Sequence, residues 1–434
     1  MYIAATRQAD RAGGIAATGA SRGFVRNVPA NVLALGAVSL VTDVSAEMVT
    51  AVLPTYFVLT LGLSPLQYGL LDGTYFGVTA FVRLLGGQIA DRTRRRKLVA
   101  GTGYGLSAVC KLALPLAGSS VTGLGLALAA DRTGKGLRTA PRDALISLST
   151  PTADLGRAFG VHRAMDTVGA FLGPLAAFAV LWATHDAYDA VFVVSFCVAM
   201  FAVLLMALYV RDHREPAPRR GAASLRAAFG LLRLRQFRRT CVAATLLGLL
   251  TVGDTFVYLV LQHGFAIPLR YFPLLPLGTA GAFLLLAMPL GRLADRVGRF
   301  RVFLGGHLAL LAAYAVAAAP TGGRAPGTVS TWAVLGLVLG LQGLFYAATD
   351  GVLMAATGPL LPVHLRTSGL ALLQTGQAGA RLVSSVLFGA AWTLYGPGPA
   401  LLVMGAGLAG CLLLARRLLP GRSPTDSACA EVTG

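Results

Sequence analysis

Charge is scarce in this chain. Of 434 residues only 13% are Asp, Glu, Lys or Arg, and acids are the rarer sign, 18 against 37 bases. A soluble globule carries about 25% charged residues. A water-facing surface around so apolar a chain, 55% hydrophobic with a mean hydropathy of +0.69, is therefore excluded. Lipid is the solvent that such a composition suits. Cysteine is scarce as well. Cys110, Cys197, Cys241, Cys411 and Cys429 show no CxxC spacing, and the first four sit inside apolar runs. That pattern points to small-hydrophobe packing and away from metal or disulfide chemistry. HExxH and a complete Walker loop are missing, and the TGK at 133–135 lacks the upstream loop glycine. An enzyme, a bound metal and a cofactor are accordingly not expected. The formal charge of +19 would suit nucleic acid if the bases lay on one folded face. They punctuate apolar runs instead, as membrane loops do.

What is present is a series of long apolar runs. A bilayer core of roughly 30 Å needs about 20 apolar residues per helix, and about twelve such runs occur. They read as 30–61, 66–90, 98–118, 121–146, 157–184 and 187–210, then 239–263, 268–293, 302–320, 328–355, 367–394 and 397–419. Long runs without period-two alternation predict helices and not barrel strands. The fold class is an all-α integral membrane protein, about twelve helices in two six-helix, pseudo-symmetric bundles. The bundles span 30–210 and 239–419, joined by a linker at 211–238 and flanked by tails at 1–29 and 420–434. Arg7, Arg11, Arg22 and Arg26 precede a first span that many others follow, so that span is expected to be retained.

Bases set the orientation. One set of connections holds Arg92, Arg94, Arg95, Arg96 and Lys97, then Arg211 through Arg239, then Arg296, Arg299 and Arg301, then Arg416, Arg417 and Arg422. The alternate set is nearly bare, with Arg270 and Arg324 as exceptions. Both termini, with their tails, are therefore expected in the cytoplasm. Within the linker, Leu225–Phe237 mixes bases with Leu and Phe and reads either as an amphipathic surface helix or as a solvated connection.

The two halves resemble each other. GGQIADRTRRRK (86–97) follows the second span and LGRLADRVGRFR (290–301) the eighth; Asp43 in the first span is mirrored by Asp254 in the seventh. Together these residues resemble the major facilitator superfamily over nearly the whole chain. The loop motif of that family, approximately G-x-x-x-D-R-x-G-R-R/K, reads here as Gly87, Asp91, Arg92, Arg95 and Arg96, with Arg94 in the usual glycine place. The second copy is fuller: Gly291, Asp295, Arg296, Gly298 and Arg299. The resemblance implies a cytoplasmic gating latch. Physically, an Asp at a helix boundary can accept hydrogen bonds from the free N–H groups of another helix, and Arg can bridge to neighbouring acids. Arg132 and Gly136 resemble the family motif R-x-x-x-G in the fourth span, with Lys135 where Gln is common. Gly160, Gly169, Gly173 and Pro174 fit G-x8-G-x3-G-P, which the family associates with antiporters, though Ala177 and Phe178 replace its terminal glycines. Gly69, Gly73 and Gly77 are read as packing alone.

Buried charge then marks the functional core. In the fourth span Asp131, Lys135, Arg138 and Arg142 share a helical face, Arg132 points elsewhere, and Gly134, Gly136 and Pro141 weaken the helix. Asp43 and Glu47 are i, i+4 neighbours in the first span; His162, Arg163 and Asp166 lie in the fifth. One charge at a helix centre costs about 2.5–3.5 kcal/mol, so these groups must face partners or water. The candidates for proton coupling are Asp43, Glu47, Asp166, Asp131 and Arg132. Arg138, Arg163, Asp254 and Arg381 are the candidates for the substrate cavity, with pairing of Arg381 to Asp350 as a competing reading. Asp72 and Arg83 read as edge residues open to snorkelling. His263 and His307 read as helix-end or core histidines. The resemblance implies a secondary active transporter, driven by a proton gradient and exporting a small organic solute by antiport. Uptake of an organic anion or a metal chelate such as a siderophore is the alternative, and a non-transporting receptor on the same fold the third. Partners are a small-molecule substrate and the lipid bilayer, with no nucleic acid, and a monomer is expected.

Overall fold

The structure, a computed structural model, describes residues 28–75, 77–78, 82, 95–151, 154–212, 229–265, 267–319, 329–362 and 365–419. Most of the N-terminal tail, most of the linker, Arg83, the motif residues Gly87, Asp91, Arg92 and Arg94, and Cys429 lie outside the described residues. Among the described residues there are helices and no strands. We number the helices α1 (Ala30–Thr55), α2 (65–75), α3 (Arg96–Leu116), α4 (Val121–Leu148), α5 (Leu155–Ala183), α6 (Tyr188–Tyr209), α7 (Arg235–Leu249), α8 (Asp254–Phe265), α9 (Leu275–Val297), α10 (Arg299–Ala318), α11 (Val329–Thr349), α12 (Val352–Thr357), α13 (Arg366–Tyr395) and α14 (Pro397–Leu418). Nine helical stretches among the described residues are long and apolar enough to cross a membrane. α4 is 28 residues long but falls outside that set, because its own charges dilute it. Apolar side chains such as Phe201, Leu204 and Leu208 of α6 point outward, as a lipid-facing surface requires.

The described chain divides into two compact units. One holds residues 28–62, 77–78, 82 and 95–212; the other holds 63–75 and 229–419. We refer to them as the N-terminal and C-terminal units.

In the N-terminal unit the helices run unbroken and close together. α4 is continuous through Gly134, Gly136 and Pro141. The sequence reading of a weakened helix misses what these glycines do. A Cβ on Gly134 would lie 2.6 Å from the Gly103 carbonyl oxygen, and one on Gly103 would lie 2.7 Å from that of Gly134. The backbones of α3 and α4 meet at this pair, and only glycine permits it. α1 packs on α5 through the same device: Gly169 abuts the Leu40 carbonyl and Gly173 the Val44 carbonyl and the Met48 amide. α1 and α6 are tied by reciprocal bonds, Ser45 Oγ donating to the Ser195 carbonyl and Ser195 Oγ to the Ser45 carbonyl, both at 2.7 Å. Val32, Leu35, Val38, Tyr104, Leu145, Ile146 and Met206 close one end of the unit with a dry core.

In the C-terminal unit two spans are interrupted. The seventh is split into α7 and α8 at residues 250–253, and the tenth into α11 and α12 at Asp350–Gly351. Freed backbone groups inside a membrane need internal partners. At the first break the Val252 N–H donates to the Tyr314 hydroxyl (2.6 Å) and Ser384 Oγ donates to the Thr251 carbonyl (2.8 Å). At the second, Gly351 takes φ of +78°, a conformation that favours glycine. α2 packs here against α13: Gly69 meets the Ser385 carbonyl, Gly73 the Leu382 carbonyl, and Gly389 of α13 the Pro65 carbonyl. Tyr68 stands edge-on to Phe256 at 4.8 Å. The linker end holds a short 3-10 turn, Leu231–Arg233, directly before α7.

Candidate functional site

α4 carries its charges toward α1 and α5. Asp131 is held by the adjacent Arg132, whose Nε donates to Asp131 Oδ2 at 2.9 Å and whose Nη2 makes a second, shorter contact. Arg132 therefore folds back along the helix to its neighbour, although its position on the helical wheel points elsewhere. Buried Lys111 of α3 adds a further attraction to the same carboxylate. Asp131 is thus ion-paired within its own helix. One turn on, Lys135 interacts electrostatically with both Asp43 and Glu47. Arg138, 4% exposed, places Nη2 3.6 Å from Asp43 Oδ1 and its guanidinium 4.7 Å above the Tyr104 ring, while its Nη1 is buried without a hydrogen bond.

Asp166 of α5 differs from these acids. Its carboxylate is surrounded by three basic groups, none at hydrogen-bonding distance. His162 Nε2 lies 3.7 Å from Oδ1; Arg163 Nη1 and Arg142 Nη1 lie 3.8 and 3.9 Å from Oδ2. Asp166 Oδ1 and both His162 ring nitrogens are buried without a hydrogen-bond partner. Arg142 divides itself among Asp143, Ser39 and Asp166: Nε donates to Asp143 Oδ1 at 3.1 Å and Nη1 to Ser39 Oγ at 3.3 Å. Arg142 thus reaches from α4 to the acid of α5. Packing fixes the site, because Gly169 and Gly173, one and two turns beyond Asp166, press α5 onto α1. Of the antiporter-like motif, Gly169, Gly173 and Pro174 are buried, whereas Gly160 has nothing within 4 Å of where a Cβ would stand.

The C-terminal unit holds a pocket that both helix interruptions reach. Gly248 and Thr251 line it from the first break, and Thr349, Asp350 and Gly351 from the second. Arg381 lines it from α13, with Nη2 3.5 Å from Tyr346 Oη and its guanidinium 5.8 Å from the Tyr346 ring centre. Arg381 attracts Asp350 and also Asp72. His307 is buried with Nδ1 2.9 Å from the Phe303 carbonyl, the core histidine that the sequence suggests, and it lines the pocket as well. Asp254 begins α8, where an acid suits the positive helix end. Asp72 is no snorkelling edge residue: Ser385 Oγ donates to its Oδ2 at 2.6 Å and Thr255 Oγ1 approaches its Oδ1 at 3.5 Å. Sequence reasoning missed Asp72 and the pocket. A signal existed for the break, since Asp-Gly at 350–351 is a turn dipeptide inside an apolar run.

The second loop motif is described. Arg299 donates to Asp295 Oδ1 from Nε (3.2 Å) and Nη2 (3.0 Å), and to the Ala355 carbonyl from Nη1 (2.9 Å). It thus bridges the motif to α12. Gly298, with φ of +108°, supplies the turn between α9 and α10. Gly291 and Arg296 lie in α9, the latter in its last turn; Arg95 is exposed just before α3. Among the described residues no group of His, Cys, Asp and Glu could hold a metal ion.

Comparison with known proteins fits this architecture. The sequence matches the family described as Major Facilitator Superfamily over residues 35–284. An uncharacterized MFS-type transporter of Methanocaldococcus jannaschii is 27% identical over 384 residues, covering 85% of this chain and 90% of that protein. Among solved structures, the nucleoside transporter NupG superposes with a TM-score of 0.78 at 15% identity, covering 90% of this chain and 100% of that one. A POT family transporter in complex with 5-aminolevulinic acid gives 0.72 at 14% identity, covering 92% and 96%.

Proposed function

The chain belongs to the major facilitator superfamily and is a multi-pass membrane transporter; from that premise we propose that it exports a small organic solute in exchange for protons, by alternating access. Asp166 is the proton carrier. The observation that carries this reading is its surroundings: three bases at 3.7–3.9 Å and no hydrogen bond to Oδ1. A carboxylate locked as Asp131 is must break a charged pair to accept a proton, which is strongly unfavourable when the pair is buried. Asp166 can accept one without breaking a hydrogen bond, giving up only two longer ion pairs, and its protonation releases Arg142 and Arg163 from its field.

The other ions support that exchange. Asp43 and Glu47 balance Lys135 and Arg138, and Asp131 with Arg132 holds α4 in place. Asp295, Arg299 and their counterparts Asp91 and Arg95 act as the cytoplasmic latch. The driving force is the proton gradient, with no cofactor. The protein works as a monomer in a bacterial inner membrane, with both termini cytoplasmic. Arg138 Nη1, buried without a partner, favours a second reading, uptake of an organic anion by symport.

Everted membrane vesicles separate the two. A solute is first selected by its thermal stabilisation of the purified protein. Acidifying the vesicle lumen drives that solute inward if the chain is an exporter, and a protonophore stops it. The same accumulation is lost in Asp166→Asn. Accumulation that ignores the pH gradient overturns proton antiport.

A further inference from the structure

The pocket of the C-terminal unit has a chemistry of its own. Four rings form one continuous wall. Phe303 and His307 meet edge to face with centres 4.7 Å apart, His307 and Phe345 follow at 5.2 Å and 82°, and Phe345 and Tyr346 at 5.2 Å. All four line the pocket. Offset and edge-on aromatic contacts favour a planar conjugated guest over a puckered aliphatic one of equal size. At the Tyr346 end stands Arg381, whose planar fork matches a carboxylate with two parallel hydrogen bonds. Gln374 lies three residues before Gln377 and seven before Arg381 along α13, so all three share one helical face on the pocket. Their carboxamides offer both donors and acceptors to ring substituents. Asp350, at the helix interruption, supplies an acceptor for a hydroxyl or N–H. The hydroxyls of Thr251 and Thr349 are spent on their own helices, donating to the Leu247 and Phe345 carbonyls at 2.9 and 2.8 Å. Recognition therefore falls to the rings, the guanidinium, the carboxamides and the carboxylate.

We propose that this pocket takes a planar aromatic acid bearing a ring hydroxyl or amine: the ring lies against the Phe303–Tyr346 wall, the acid on Arg381, and the polar substituent between Gln377 and Asp350. The assignment names the substrate class of the transporter inferred above and rests on that reading. Arg381 is directed at Tyr346 and attracted by Asp350 and Asp72. The solute's carboxylate takes over the guanidinium from these groups.

The test uses the purified full-length chain in detergent and three probes: 4-hydroxybenzoate, cyclohexanecarboxylate and benzyl alcohol. Binding is measured by calorimetric titration. 4-Hydroxybenzoate binds saturably, and each of the other two binds at least about tenfold more weakly, since both lack the ring hydroxyl and, beyond it, one lacks the planar ring and the other the charge. Arg381→Lys keeps the charge but loses the fork, and weakens 4-hydroxybenzoate by about tenfold. Phe345→Leu weakens it several-fold and leaves the melting temperature within a few degrees of the parent. Equal binding of the three probes to the unaltered chain, or no binding of 4-hydroxybenzoate, overturns the assignment without any variant. If these probes fail while another solute moves with the pH gradient, the substrate class is wrong and proton antiport stands. If 4-hydroxybenzoate binds as described but no solute moves with protons, the antiport reading fails and the pocket stands.

Discussion

The two units bring polarity into the bilayer by different means. The N-terminal unit keeps its helices continuous and places ionised side chains inside, along α4 and opposite it on α1 and α5. The C-terminal unit carries fewer buried charges and interrupts two helices, and its pocket is walled by aromatic rings with Arg381, Asp350 and two carboxamides. Each means has a characteristic cost. Ionised side chains need partners of opposite sign within a few ångströms. Broken helices need donors and acceptors aimed at specific backbone atoms. The first arrangement can be altered by a proton, because charge is what holds it. The second is held by hydrogen bonds to specific backbone atoms, and its pocket sets Arg381 and Asp350 beside an aromatic wall. The proposed placement of coupling in the first unit and recognition in the second rests on that difference.

Unpairing a charge in the N-terminal unit has the largest expected effect on stability. Asp131→Asn leaves Arg132 buried with its carboxylate gone. Side-chain exposures of 6% and 14% put the pair well inside the protein, so the loss is expected at about 3–5 kcal/mol. Thermal unfolding in detergent reads it, and the Asp131→Leu/Arg132→Met double variant recovers part of the loss. A parent-like melting curve for the single variant would mean the pair contributes nothing.

Close packing gives a smaller effect. Gly169→Ala forces a methyl group onto the Leu40 carbonyl and is expected to lower stability by about 1–3 kcal/mol, whereas Gly160→Ala costs nothing measurable. Equal melting points for the two would remove the α1–α5 contact from the account. Smaller or comparable is the effect of Tyr314→Phe in the C-terminal unit. It deprives the Val252 N–H of its acceptor at 2.6 Å, at about 1–3 kcal/mol. The same substitution at Tyr104, which lies under Arg138, removes no backbone partner and is milder.

The fold class, the helix count and the candidate ions of the first half were legible because each rests on a short-range signal. An apolar run of about 20 residues admits only one spanning structure. Helical spacing alone puts Asp131, Lys135, Arg138 and Arg142 on one face. What could not be read is which acid each base meets. Arg142 sits in chain next to Asp143, yet shares itself with Ser39 and Asp166, and only the close approach of α1 and α5 makes that possible. Asp72 read as an edge residue because its depth was counted from hydropathy. Its partner, Ser385, lies 313 residues along the chain. The glycines of α4 were misread as weakness, since helix propensity ignores a neighbouring backbone. The break at Asp350–Gly351 disappears in a hydropathy average although the dipeptide itself is a turn signal.

Proton release on solute binding tests the central claim most directly. A solute that thermally stabilises the purified protein is mixed with it in weakly buffered solution containing a pH indicator. The parent chain and Asp131→Leu/Arg132→Met release protons as the solute binds. Asp166→Asn still gains thermal stability from the solute but releases none. If Asp166→Asn releases as many protons as the parent, the carrier is another group and the account of Asp166 is wrong.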